Sequence, residues 1–590
     1  MAKGTAEYYQ TLTEMFFTQA DALASKKFIW NSIDKRWIGL SYAEIANQVQ
    51  ELASGLIARG LNKGDRIVLV LENSQEWVIA DLAIMAIGAI TVPAFISNTE
   101  DDHLHILNDC EAVAVITSTR KLADKVERAA ERAPTCRLMV MIENSQTVHQ
   151  PTGLAIITWD RILEDGRKYP SDIRSLSKKA KPRDIACLIY TSGSDSTPMG
   201  VMLTHRSILD NVYGAYDRFG GLRFKDETFL SILPLSHAYE HTTGLYLPIL
   251  LGAEIYHLTS PDRLAKALRD IRPTMMTTVP RLCELMHDRI RMSINLTAPM
   301  MQRLVTLTLK QARIRQSGGR APLLGSIIET LARPFIHRRM NEVFGGRLKL
   351  MVSGGAALPP NIGRFFVALG IRLVQGYGQT EASPVISVSP VDDNRIATVG
   401  TPLQGVQVKL SKAGEILVKG KLVMEGYWNK PQETAQVLKK GWLHTGDIGE
   451  IDDQGYITIT GRKKDIIVNS GGENISPSRV EARLNSQPNI AQSMVDGDKR
   501  PWLAAVIVPS EACIKNAEGR RNKIMEWIQN DIDTANARLA SSERVRKFIL
   551  ADDGFTFENK RLTQTLKLRR NIIAHDFRNK IDRLYMNSGK

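Results

Sequence analysis

Short continuous apolar runs alternate along this chain with stretches in which apolar residues recur every three or four positions. Arg66–Leu71, Ile90–Ala94, Ala112–Ile116 and Leu138–Ile142 are runs of the first kind and predict strands buried on both faces. Ser41–Arg59 is of the second kind, through Ile45, Val49, Leu52, Leu56 and Ile57, and Trp77–Ile87 reads as a further helix. Residues 1–60 predict helices around a strand pair, with a hairpin over Phe28–Trp37. The alternation continues with strands at Phe229–Leu233, Glu254–His257, Thr274–Val279, Leu348–Val352 and Arg372–Gln375. This order predicts an α/β fold with largely parallel sheets.

The texture changes after Gly400. Val406–Leu410, Glu415–Val418, Ile448–Ile451 and Tyr456–Thr460 are short strand patterns separated by turn residues such as Ala413-Gly414 and Asp452–Gly455, the signature of a small antiparallel β unit. After Gly461-Arg462 the α/β texture returns, with strands at Ile490–Val495 and Leu503–Val508 and helices to the end. A boundary is expected at Arg462–Lys464. A chain of 590 residues is too long for one core and predicts two or more domains.

Leu82–Ile96 is the stretch that most resembles a membrane span, but it has only fifteen residues, with Gly88 and Pro93 inside, against the roughly twenty a span needs. A buried helix ending near Gly88 and then a buried strand is expected. The first residues, MAKGTAEYYQ, lack a basic segment followed by an apolar one, which predicts no signal peptide. Five scattered cysteines and no CxxC predict reduced thiols, a cytoplasmic setting and no structural zinc.

The net charge of +14 suggests attraction to anions such as nucleotides, coenzymes, nucleic acid or lipid headgroups. No nucleic-acid-binding module or aromatic-interleaved basic stretch accompanies it. Between Arg281 and Lys349 there are thirteen Lys/Arg against four Asp/Glu, interleaved with apolar residues. Two readings stay open for 285–345: amphipathic helices resting on the inner face of an anionic membrane, or a solvated helical face over an ordinary core.

Leu188–His205 reads as strand, Thr/Ser/Gly loop, strand and helix start. Two readings stay open for it: a loop that holds phosphates, because small residues let backbone N–H groups converge while hydroxyls add donors, or a Ser/Gly-rich surface connector. The common NTPase loop GxxxxGK[ST] is absent. Two more Gly-rich junctions follow strands, SGGAALP and GYGQTE, and ligands in α/β sheets collect where such loops converge.

YTSGS…TPMGVMLTH, LPLSHAYE, SGGAAL, GYGQTE, WLHTGDIG, GRKKDIIVNSGGENISP and TQTLKLRR occur in that order. The series resembles the acyl-adenylating (AMP-binding) enzymes, nearest to the long-chain fatty-acid–CoA ligases. The resemblance implies ATP-dependent formation of acyl-AMP and then acyl transfer to coenzyme A, with ATP, Mg2+ and CoA as cofactor and cosubstrates. It implies a large multi-subdomain N-terminal domain, 1–462, with two mixed, largely parallel sheets and a β-rich subdomain at 400–462. A small mobile α+β C-terminal domain, 463–590, would carry the catalytic lysine.

Residue by residue, the resemblance assigns Thr191, Ser192, Gly193, Ser194 and Thr197 to the β- and γ-phosphates. Gly354, Gly355 and Ala356 would frame adenine, Tyr377 would stack on it beside Gly378, and Thr380 would contact the α-phosphate. Glu381 would hold Mg2+, a hard cation suited to carboxylate oxygen. Asp447 would take the ribose hydroxyls, Arg462 would reach the ribose or the phosphate, and His237 would gate the carboxylate and acyl tunnel or else be a core histidine without chemistry. Lys567 would bridge the acyl carboxylate and α-phosphate, Lys464 would be the hinge, and Gly471, Gly472 and Glu473 would approach the centre in the thioester step. Leu566 stands where many relatives have Gly.

The phosphate loop departs from TSGTTGxPKG, with Asp195, Ser196 and Met199 in place of Thr, Gly and Lys. One positive charge is lost and one negative gained, which predicts slower turnover. The alternatives are an acyl-AMP ligase serving a carrier protein and a catalytically weak nucleotide- or acyl-binding relative.

Overall fold

The computed structural model describes residues 9–33, 36–143, 153–191, 197–258, 260–295, 299–316, 323–556, 558–563 and 567–586. Two large sheets dominate. One has eight strands in the order Gly426–Tyr427, Met199–Thr204, Ile185–Thr191, Ile90–Pro93, Arg66–Val70, Ala114–Thr117, Leu138–Met141 and Ala155–Thr158. Its strands run parallel from Ile185–Thr191 onward, and antiparallel partners close the other edge. The other has nine strands, with a parallel centre of Leu373–Gly378, Leu350–Ser353, Met275–Thr278, Thr228–Ser231, Glu254–His257 and Lys27–Ile33.

Helix Gln75–Ala86 shows why its sequence is apolar on every side. All its residues except Glu76 are buried, and it packs within a core that joins the facing sides of both sheets. The buried-helix-then-strand reading of Leu82–Ile96 is borne out by this helix and strand Ile90–Pro93. The helix after the phosphate loop, His205–Arg218, starts where Thr204 caps Ser207 N–H in a reciprocal capping box.

The β unit has five strands, Gln407–Leu410, Glu415–Lys419, Trp442–Ile451, Leu438–Lys439 and Ile457–Arg462. Two expectations change here and at the second sheet. Ile448–Ile451 is only the end of a ten-residue strand that also carries HTGD. The strand expected to end at Gln375 runs on to Gly378, so Tyr377 and Gly378 lie on a strand rather than in a loop.

Beyond residue 463, Ile490–Asp496, Leu503–Pro509 and Val545–Leu550 form a three-stranded mixed sheet flanked by helices. Val545–Leu550 corrects the expectation of helices alone after Val508. Among the described residues no strand pairs across Arg462–Lys464. The buried clusters also divide there, three ending by Ile457 and two beginning at Ile467 and Met494. All five cysteines are buried free thiols. No helix among the described residues is long and apolar enough to cross a membrane.

Candidate active site

Strand ends of both large sheets, the β unit and the C-terminal part converge on one cleft of about 3050 Å³. That is several times the size of an ordinary small-molecule pocket, roughly 300–1,000 Å³, and has room for more than one ligand. Thr191, His237, Gly354, Gly355, Ala356, Tyr377, Gly378, Thr380, Glu381, Asp447, Arg462 and Lys567 all line it. Thr197 is exposed and is not part of the lining. Ser192, Gly193, Ser194, Asp195 and Ser196 lie outside the described residues, as does Leu566.

Asp447 is 3% exposed and fixed on both oxygens. The Tyr377 hydroxyl donates to Oδ2 at 2.7 Å, and Arg462 Nε lies 3.0 Å from Oδ1. The arginine arrives through the strand ladder, where Asp447 pairs with Arg462. A carboxylate has about four lone-pair directions, so two remain for further donors.

Glu381 sits in a single turn, Thr380–Ala382, just past the strand end. The Tyr427 hydroxyl donates to its Oε1 at 2.9 Å, and its Oε2 makes no hydrogen bond to the described residues. Tyr427 was not singled out from the sequence. It stands on the two-residue strand that pairs with Val201 and Met202, beside the phosphate loop. No group of three or more His, Cys, Asp or Glu among the described residues could hold a metal alone. A divalent ion at Glu381 would therefore be completed by ligand phosphates and water, the habit of Mg2+.

Lys567 emerges from a small hairpin. Its N–H donates to Thr563 Oγ1 at 3.0 Å, its carbonyl accepts from Thr563 N–H, and Leu562 bridges Leu568. Enclosure in the cleft, and then the nearby Arg462, lower the ammonium to about 8, against Asp447 and Glu381, which raise it. His237 is lowered to about 4 by burial and then by Lys567. Its Nδ1 accepts from Tyr239 N–H at 3.2 Å, leaving the proton on Nε2 of a neutral ring.

Close packing explains two glycines. A Cβ on Gly354 would stand 3.0 Å from the Tyr239 ring, which is pinned by its hydroxyl to Val352 O at 2.9 Å. A Cβ on Gly378 would lie 1.8 Å from Pro384 O. Deeper in the cleft the lining is apolar: Ala215, Phe219, Phe229, Leu247, Met275 and Val388. Thr243 of the π-helical turn His241–Tyr246 completes this wall.

Besides Thr197, three assigned residues are not brought to the site. Gly471, Gly472 and Glu473 are exposed on the turn between Ile467–Val468 and Asn474–Ile475 and do not line the cleft. Asn469 Oδ1 holds that turn by accepting from the N–H groups of Gly471 and Glu473.

The family model described as "AMP-binding enzyme" matches residues 16–428, and that for "AMP-binding enzyme C-terminal domain" matches 464–589. The chain belongs to the AMP-binding enzyme family. A member named long-chain-fatty-acid–CoA ligase FadD15, from Mycobacterium bovis, is 31% identical over 94% of this chain and 93% of its own. The Arabidopsis thaliana protein named long-chain-fatty-acid–[acyl-carrier-protein] ligase AEE15, chloroplastic, is 27% identical over 92% of this chain and 82% of its own. Among solved structures, the A-PCP didomain of carboxylic acid reductase from Segniliparus rugosus, in complex with AMP, shares the fold with a TM-score of 0.77. That match is 21% identical and covers 99% of this chain and 83% of the other. The AMP-binding fold thus spans this chain from end to end.

Proposed function

We propose that this protein joins a long-chain fatty acid to coenzyme A using ATP, releasing AMP and pyrophosphate. In the first step a carboxylate oxygen attacks the α-phosphorus, the α–β bridging bond breaks, and acyl-AMP and pyrophosphate form. In the second the CoA thiol sulfur attacks the acyl carbon, AMP departs and the thiol proton passes to solvent.

One observation carries this reading: Lys567, Thr380, Glu381, Tyr377 and Asp447 line a cleft whose depth is apolar. Positioning and charge neutralisation dominate phosphoryl-type transfer, so the work falls to fixed donors and charges. Lys567 meets the negative charge that builds between the carboxylate and the α-phosphate. Thr380 adds a hydroxyl donor there. Asp447 uses its remaining lone pairs for the ribose hydroxyls while Tyr377 and Arg462 hold it still. Neutral His237 offers Nε2–H near the carboxylate without competing with Lys567 for charge. Glu381 would hold Mg2+, which neutralises phosphate charge when bound. Thr191 with Ser192, Gly193, Ser194 and Thr197 would take the β- and γ-phosphates, and Gly354–Ala356 the adenine.

The same reading makes 1–462 one unit, with 400–462 its β-rich part, and 463–590 a second unit turning about Lys464. Two clamps flank that residue. Lys463 N–H donates to Gly446 O and its ammonium lies 3.3 Å from Glu415, while Arg570 spans Asp465 and Glu481. Lys464 lies between them in a turn closed by the N–H groups of Asp465 and Ile466 on Arg462 O, and a rotation there would open that turn and bring Gly471–Glu473 to the cleft for the thioester step.

CoA-dependent AMP release across a panel of fatty acids tests the proposal, and no thioester at any chain length sinks it. The relative named as an acyl-carrier-protein ligase favours a second reading, transfer to a carrier protein. Offering CoA and carrier phosphopantetheine side by side separates the two. Fatty-acid-dependent ATP–pyrophosphate exchange separates both from a silent relative.

A further inference from the structure

The helices Pro280–Asn295, Pro299–Gln316 and Leu323–Val343 form a layer outside the second sheet, packed on Pro360–Ala368 and on one another. Their outward side is unusual. Phe335 is 71% exposed, Leu331 69%, Met292 66%, Val343 40% and Leu285 39%. Twelve large hydrophobic residues are exposed among the described residues, and these five fall between 285 and 343.

The exposure follows helical spacing. On Leu323–Val343, Leu331, Phe335 and Arg338 stand at i, i+4 and i+7 and share one face, while Ala332, Ile336 and Met340 are buried. On Pro280–Asn295, Leu285, Arg289 and Met292 repeat that outward spacing, while Leu282, Cys283, Met286 and Ile290 are buried. Two helices therefore present the same pattern of apolar side chains with arginine between or beside them.

The charge is one-sided. The segment from Arg281 to Lys349 holds nine of the fourteen excess positive charges of the chain. Three of its four acids are engaged. Glu342 pairs with Arg338 and Arg339, Glu284 with Arg281, and Asp288 with His287. Arg289 has only a distant partner, Asp262 at 4.0 Å. The arginines remain largely exposed, Arg338 at 84% and Arg339 at 71%.

The geometry points to a peripheral docking surface for an anionic lipid bilayer. Leu285, Met292, Leu331 and Phe335 enter the boundary between headgroups and acyl chains, and Arg289, Arg338 and Arg339 pair with lipid phosphates. Aliphatic and aromatic residues interleaved with arginine are what an interfacial helix requires. A second copy of the chain fits less well, because a two-fold contact would set this basic face against itself. Nucleic acid would use the arginines and leave Leu331 and Phe335 in water. The surface is joined to the cleft wall: Pro280–Asn295 begins two residues after strand Met275–Thr278, whose Met275, Met276 and Thr277 line the cleft. Docking here would set the cleft beside the phase in which long-chain amphiphiles dissolve.

The test is co-sedimentation of the full-length chain at low salt with vesicles of phosphatidylglycerol and phosphatidylcholine, against phosphatidylcholine alone. Binding to the anionic vesicles only is expected, weakening as salt rises. Replacing Arg338→Gln and Arg339→Gln should weaken it roughly fivefold per arginine. Leu331→Ser with Phe335→Ser should weaken it more than about tenfold, with ATP–pyrophosphate exchange on detergent-dispersed substrate unchanged. Absence of binding at low salt overturns the proposal, as does binding that neither pair of substitutions alters. Loss of a dimer in sedimentation velocity by the Leu331/Phe335 variant, with vesicle binding intact, also overturns it and assigns the face to a second copy.

Discussion

Glu381 is held by a tyrosine forty-six positions away, Tyr427, whose hydroxyl is 2.9 Å from Oε1. GYGQTE made Glu381 legible as a carboxylate with a task. Nothing in the spacing pointed to Tyr427, because its place depends on a two-residue strand joining the sheet beside the phosphate loop. Tyr427→Phe should leave the fold intact and free the carboxylate to swing. A hydrogen bond to a charged group contributes about 1.5–3 kcal/mol, so exchange should fall roughly tenfold or more. The Mg2+ concentration for half-maximal rate should rise with it; an unchanged metal titration would mean that Tyr427 does not position Glu381. Lys567 gives a pH signature. Its ammonium is lowered to about 8, so the charged form prevails below that pH and is lost as pH rises through it. The adenylation half-reaction should therefore fall on an alkaline limb near 8, and Lys567→Arg should remove that limb even if the rate is low. Met199 bears on the doubt raised by the phosphate loop. It lines the cleft and pairs across the loop mouth with Thr191. Met199→Lys would return a cation to that mouth, and several-fold lower KM for ATP in pyrophosphate exchange is expected.

At the scale of elements, the buried β-strands were legible because period and burial agree; Glu254–His257 comes out with the ends read from the sequence. Val545–Leu550 was missed because VRKFIL mixes exposed, half-buried and buried positions. Of the ten residues of Trp442–Ile451 only the last four were read as strand; Gly446, at φ +71°, interrupts the pattern before them. Its N–H is instead held by Glu415 at 3.1 Å, so the strand continues through it. The turn His241–Tyr246 had no sequence signal as a π-helix. It is anchored from behind by Asp81, whose Oδ2 accepts from His241 Nε2 at 2.9 Å and the Tyr246 hydroxyl at 2.5 Å. On the near side, Gly244 makes room for Glu240, where a Cβ would lie 2.4 Å from the carboxyl carbon. Burial raises Glu240 to about 7 from 4.5. The sign follows: the folded state holds this proton more tightly than the unfolded one. Its stabilisation is full below about 4.5 and is lost as pH rises towards 7. Glu240→Gln lacks that loss. Its denaturation midpoint relative to the parent should climb between pH 4.5 and 7 and level off above, by an amount on the order of 2–3 kcal/mol. A pH-independent difference would mean that Glu240 does not titrate in the folded protein.

In the whole molecule the C-terminal part turns one of its faces to the cleft. Lys567 is in the lining, and Gly471–Glu473 are exposed outside it, although both belong to the segment after Lys464. The order of motifs marked both as candidate site segments, but a linear order carries no information on which of two faces is turned inward. If both serve one reaction, they must exchange places between steps, and Lys464, between the Lys463–Glu415 and Arg570–Asp465 pairs, is the position proposed for the change. Proline there fixes φ near −65° and removes the N–H, so it should favour one arrangement over the other. With Lys464→Pro, pyrophosphate exchange and thioester formation from supplied acyl-AMP should separate by at least about a hundredfold in relative rate. Both half-reactions falling in step would show that the two faces do not alternate about this residue. The Lys567→Ala chain supplies the complementary measurement. It should lose exchange yet still convert supplied acyl-AMP and CoA to thioester, because the face that carries Lys567 would then be turned away from the reacting carbon.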